Sequence, residues 1–101
     1  MQLIDANRLL NDRKYRTLLS EYHSLFAYIA ADLNRYNTIQ SAGVQFHKTS
    51  DLYELKEELI KMLKDTFPLF EVSLEKHGER YDLDKDEFNI CVSWKNYRDN
   101  N

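Results

Sequence analysis

The stretch Met62-Leu-Lys-Asp-Thr-Phe-Pro-Leu-Phe-Glu-Val-Ser-Leu-Glu75 changes its hydrophobic period in the middle. Upstream of Pro68, Leu52, Leu55, Leu59, Met62, Leu63 and Phe67 recur at the three- and four-residue spacing of one helix face. Downstream, Phe70, Val72 and Leu74 alternate with Glu71, Ser73 and Glu75, which is the two-residue period of a half-buried strand. Pro68 separates the two because proline has no amide donor and disfavours a helical residue before it. A helix running into an amphipathic strand is therefore the unit from which the fold is read.

Reading outward, Phe88, Ile90, Val92 and Trp94 alternate with Asn89, Cys91, Ser93 and Lys95. This second strand follows the first closely enough to make an antiparallel hairpin. Toward the N-terminus, Gly43-Val-Gln-Phe-His-Lys48 alternates as a short strand, and Thr49-Ser-Asp51 supplies helix caps, with Asp51 and Glu54 at capping-box spacing. From Tyr15, apolar residues at 18, 19, 22, 25, 26, 29, 33 and 36 predict a long amphipathic helix from about Arg13 to about Thr38. A short helix capped by Asp5 precedes it, with Leu9 and Leu10 expected to turn inward.

The expected order is α-α-β-α-β-β. Each strand has one apolar face, so the expected fold is α+β: a two-layer sandwich whose three-stranded antiparallel sheet is covered on one face by a long and a shorter helix. At 101 residues the chain makes a single domain, placed at residues 1–96, with a polar tail at 97–101.

Composition excludes several classes of function. Hydrophobic residues are 43% and charged residues 31%, as in an ordinary folded protein. A formal charge of -3 and no basic groove argue against nucleic acid. The one basic cluster, Arg13-Lys-Tyr-Arg16, sits at a helix start and reads as a solvated face. No run approaches the length of a membrane span. Cys91 is the only cysteine, so a reducing compartment is expected, and with it a cytoplasmic location.

The run Asp82-Leu-Asp-Lys-Asp-Glu87 begins like a calcium loop, but Glu87 stands where the sharp-turn glycine belongs and Ser93 where the bidentate glutamate belongs. His23, His47 and His77 have no ligand at metal-site spacing. Cys91 lies mid-strand with no glycine elbow, and Glu57-Glu58 and Asp86-Glu87 are adjacent pairs whose side chains diverge. Only two glycines leave no phosphate-cradling loop. The expectation is a protein that is not an enzyme and uses no cofactor and no metal.

One helix face carries a different signal. Ser20, Ser24, Ala27, Ala31 and Thr38 lie opposite the apolar stripe of the long helix, with Tyr28 beside them. Small side chains let another helix approach closely, and an adjacent aromatic can anchor a partner. Ser24, Ala27, Tyr28, Ala31 and Tyr36 are thus the candidate partner-binding residues, and the long helix a possible route to a homo-oligomer. The chain has seven tyrosines, five phenylalanines and one tryptophan. Phe26, Phe46, Phe70, Phe88 and Trp94 are expected in the core, and Tyr15, Tyr28, Tyr36, Tyr53, Tyr81 and Tyr97 nearer the edges, where tyrosine suits protein partners.

The Gly43-Val44 strand start, the Leu59–Leu63 helix, Phe70-Glu-Val72 and Ile90-Cys-Val-Ser-Trp94 together resemble small α+β proteins of unknown function common in bacteriophage genomes. The chain departs from them at Pro68-Leu-Phe70, where such proteins often carry glycine before the aromatic. The resemblance implies a phage-type inhibitor or modulator of a host defence or polymerase protein, acting in the host cytoplasm. Two alternatives are an oligomer that sequesters a small signalling nucleotide, and a minor virion structural or assembly protein.

Overall fold

The computed structural model describes residues 4–35, 40–76 and 86–95. Its elements are α1 (Ala6–Asn11), α2 (Arg13–Arg35), β1 (Ser41–His47), α3 (Asp51–Glu54), α4 (Lys56–Thr66), β2 (Glu71–Lys76) and β3 (Glu87–Ser93). The fold is α+β, with a three-stranded antiparallel sheet in the order β1-β3-β2. β2 and β3 pair from Glu71 opposite Ser93 to Lys76 opposite Phe88, as the hairpin reading requires. β1 joins the other side of β3, from Ser41 opposite Ser93 to His47 opposite Glu87. The most strongly hydrophobic strand is thereby central, and both remaining strands are edges.

The core forms where α2 and α4 lie against the sheet. Leu18 and Ile29 of α2, Leu59 and Leu63 of α4, and Ile90, Val92 and Trp94 at β3 are all essentially inaccessible to solvent. Burying such a side chain contributes about 1.5–3 kcal/mol. The opposite sheet face carries Ser41, Gly43 and Gln45, then Asn89, Cys91 and Ser93, then Glu71, Ser73 and Glu75. That alternation places polar and small side chains where no described element covers them.

Several expectations need correction. Leu9 and Leu10 do not turn inward, with Leu10 left 74% exposed, because the six residues of α1 bury none of their own side chains. α1 is held by other means: Asp5 Oδ1 accepts from the Asn7 and Arg8 amides at 3.0 and 3.2 Å, and Arg8 pairs with both oxygens of Glu58 on α4 at 2.7 and 3.1 Å. That pairing raises the Arg8 pKa beyond its ordinary value, the hydrogen bonds to Glu58 being the main cause.

Tyr15 is core, not edge. Its hydroxyl accepts from the Asp5 amide at 3.0 Å, and the Arg8 guanidinium lies 4.2 Å from its ring centroid. The third expected helix is two helices that break at Leu55, and its cap is Ser50, which accepts from the Leu52 amide at 3.2 Å. Asp51 and Glu54 instead face α2. Phe46 and Trp94 are buried as expected, Phe70 and Phe88 half-buried, and Phe26 is 44% exposed. The expected tail at 97–101 lies outside the described residues.

Candidate functional site

α2 divides the surface into two flanks of different chemistry. On one flank, Glu21, Ser24, Leu25 and Tyr28 line an open groove of about 490 Å³ together with Ser41, Ala42 and Gly43 of β1. Ser41 and Gly43 point to one sheet face and Ala42 to the other, so the strand meets the groove along its edge. Of the candidate partner-binding residues, Ser24 and Tyr28 come together here. Ala27 and Ala31 are exposed farther round the helix, and Tyr36 lies outside the described residues.

The hydrogen-bond phase of β1 follows from its two ends. The Trp94 amide donates to the Gln40 carbonyl at 2.9 Å and the Lys48 amide to the Asp86 carbonyl at 2.9 Å. Antiparallel ladders alternate bonded and non-bonded pairs, so the even-numbered residues of β1 exchange bonds with β3. The amides and carbonyls of Ser41, Gly43 and Gln45 then project from the outer edge, where no strand pairs with them among the described residues. Gly43 also keeps the sheet close: a β-carbon there would sit 3.0 Å from both Asn89 Oδ1 and the Ile90 carbonyl.

The other flank of α2 is apolar and aromatic. Phe26 lies tilted 5.9 Å from Phe67, Phe67 stacks at 5.1 Å on Phe70, and Phe70 lies 6.1 Å from Trp94. Beside this ladder, Leu33, Thr66, Phe67, Pro68, Leu69 and Phe70 line a shallow cleft of about 240 Å³. Phe26, Leu33 and Leu69 are 44%, 37% and 70% exposed. Residue periodicity assigned Phe26, Leu33 and Phe70 to the core and so missed this patch. Spacing carries no signal of it: at about 100° per residue Leu33 falls in line with Tyr15 and Phe26 between Tyr15 and Leu19, both of which are buried.

Other chemistry is quiet. The basic cluster on α2 is engaged in place: Arg13 pairs with Asp51 at 3.0 Å, Lys14 with Glu54, and Arg16 donates to the Leu9 and Leu10 carbonyls at 3.0 and 3.2 Å. Among the described residues no group of three or more His, Cys, Asp or Glu could hold a metal ion. Asp82 and Asp84 lie outside them, and Asp86 pairs with Lys48 at 3.3 Å. Cys91 sits on the uncovered sheet face, with its thiol pKa raised by burial and secondarily by Glu75. No helix of the described residues is long and apolar enough to cross a membrane. No family model, curated protein or solved structure matches the chain.

Proposed function

We propose that the chain is a non-enzymatic protein-binding module whose partner docks on the aromatic flank of α2. The exposed patch of Phe26, Leu33 and Leu69 around the Phe67–Phe70 cleft carries this reading. Contiguous apolar surface of this kind, rimmed by polar residues, is what protein interfaces use. The phage-type setting rests on the resemblance of the strand and helix signatures. In that setting the partner is a host protein, such as a defence or polymerase component, which the module inhibits or modulates.

The nucleotide-sequestering alternative draws no support from the groove beside Tyr28. Glu21 lines it and, among the described residues, no lysine or arginine does, so no side-chain cation would hold a phosphate there.

The test is a photo-crosslinkable residue placed at Leu69 and, as a control, at Glu57 on the exposed side of α4. A specific host-protein adduct at Leu69, lost on Phe26→Asp, is the expected result. Leu69→Asp itself should leave the melting temperature almost unchanged, because surface substitutions move stability by about 0.5 kcal/mol or less. Equal labelling at both positions, or none at Leu69, would remove the aromatic flank as the contact.

A further inference from the structure

The β1 edge is a second, independent surface, and we infer that it pairs with β1 of a second copy of this chain to make a continuous six-stranded sheet. Three observations converge on that occupant.

The first is what the edge lacks. Exposed edge strands are normally blunted by lysine, proline or other charged residues that discourage pairing. Ser41-Ala-Gly-Val-Gln-Phe-His47 contains no Lys, Arg, Asp, Glu or Pro. β2, the opposite edge, carries Glu71, Glu75 and Lys76 within six residues. Only one of the two edges is left open to another strand.

The second is that β1 complements itself. The outward amides and carbonyls belong to Ser41, Gly43 and Gln45, so an antiparallel pair with its two-fold axis at Gly43 brings these groups together. Gly43 then faces Gly43, Ser41 faces Gln45 of the second copy, and Ala42 faces its Val44. Each bonded pair exchanges two hydrogen bonds, giving about six across the seam. No like charges meet in this register. In the corresponding register about Ser73, β2 would set Glu71 opposite Glu75 twice. An isologous contact of this kind closes as a dimer.

The third is that the α2 surface beside the edge is shaped to permit it. Two chains related by this axis carry their helices on the same side of the extended sheet, so the two copies of α2 approach each other over the seam. Ser24 lies in that space and is small, and Tyr28 lies beside it and supplies an aromatic surface 47% exposed in the single chain. Among the described residues Glu21 is the one acidic or basic side chain lining the groove, and the axis brings its two copies to the same seam. The dimer is therefore held below its full affinity by this pair, and should tighten with added salt.

Sedimentation of the full chain at micromolar concentration tests the inference, with circular dichroism to confirm folding of each variant. The wild type should sediment as a dimer. The double variant S41K/Q45K places lysines opposite each other twice and should weaken dimerisation roughly a hundredfold. S41E/Q45E should do the same, and an equimolar mixture of the two should restore a dimer by pairing lysine with glutamate. Glu21→Gln should strengthen the dimer.

A monomeric wild type overturns the inference, as does a dimer indifferent to S41K/Q45K. Weakening by Glu21→Gln would also overturn it, because two carboxylates brought to one seam by the axis can only oppose association. These outcomes are separate from the crosslink at Leu69, which reports on the opposite flank of α2.

Discussion

β1 and β2 flank the same central strand, yet one reads Ser-Ala-Gly-Val-Gln-Phe-His and the other Glu-Val-Ser-Leu-Glu-Lys. Both are amphipathic, both turn their apolar residues toward the helices, and both leave half of their backbone groups unpaired by β3. The difference lies on the uncovered face and along the edge. β2 carries two carboxylates where β1 carries a hydroxyl, a glycine and an amide. A strand can thus be equally suited to the core and unequally open to neighbours, because side chains facing the core set the fold and those facing outward set the company it keeps.

The largest effect should strike both edges together, because β3 holds them both. Trp94 is fully buried at the end of β3, where its amide bonds to Gln40 at 2.9 Å and its ring lies 6.1 Å from Phe70. Trp94→Ala should cost about 3–5 kcal/mol, a large part of a small domain's total stability. Urea denaturation would show the midpoint falling toward zero denaturant. A shift of a few tenths of a kcal/mol would mean that the two edges are anchored independently of β3.

The next effect separates the edges. Gly43, Cys91 and Ser73 form one cross-strand row on the uncovered face. Gly43→Ala forces a β-carbon to 3.0 Å from the Ile90 carbonyl, which is backbone and cannot swing aside. The cost should be about 1–3 kcal/mol, as for other overpacked sites. Ser73→Ala, in the same row on β2, should be nearly neutral in thermal melts. If both substitutions melt alike, the tightness of the β1–β3 contact is not what glycine preserves.

The course of these strands was legible in the sequence because alternation is a local property. The period change at Pro68, the β2–β3 hairpin and the burial of Ile90, Val92 and Trp94 follow from residue order alone. What was not legible depends on partners distant in sequence. Nothing local says that β1 joins the outer side of β3, and so nothing local says which strands are edges. Tyr15 is core because Asp5 and Arg8 fold back onto it, a contact invisible to periodicity. The same limit applies to the surface: Ser24 and Tyr28 were found as one helix face, but their groove with Ser41 and Gly43 is a tertiary fact. Phe26 and Leu33 belong to the apolar stripe by spacing, yet they are exposed while Tyr15 and Leu19, at similar angles nearer the start of α2, are buried, a difference that only the tertiary packing makes.

A smaller effect tests whether charge is what closes the β2 edge. Glu71→Gln with Glu75→Gln removes the carboxylates that meet in self-pairing, while the β2 backbone groups that face away from β3 stay where they are. The double variant should keep its fold and gain a concentration-dependent association beyond the dimer, seen as a modest rise in mass by light scattering. No change in mass would show that edge geometry, and not charge, keeps β2 apart.

The smallest effect lies between the edges, at Cys91. Burial is the larger cause of its raised pKa and the Glu75 carboxylate the lesser, since both disfavour the thiolate. At mildly alkaline pH the folded chain therefore holds less thiolate than an unfolded one, and iodoacetamide should label Cys91 more slowly in native protein than in urea. The sign for stability follows: the unfolded thiol loses its proton first, so the contribution from Cys91 is fully present below the ordinary thiol value. It is lost as pH rises from there through the raised folded value. Glu75→Gln removes only the lesser cause and should speed native labelling slightly, whereas opening the sheet face by loss of β1 pairing should speed it strongly. If Glu75→Gln alone brought the rate to that in urea, the carboxylate of the closed edge, and not burial between the two strands, would govern the thiol.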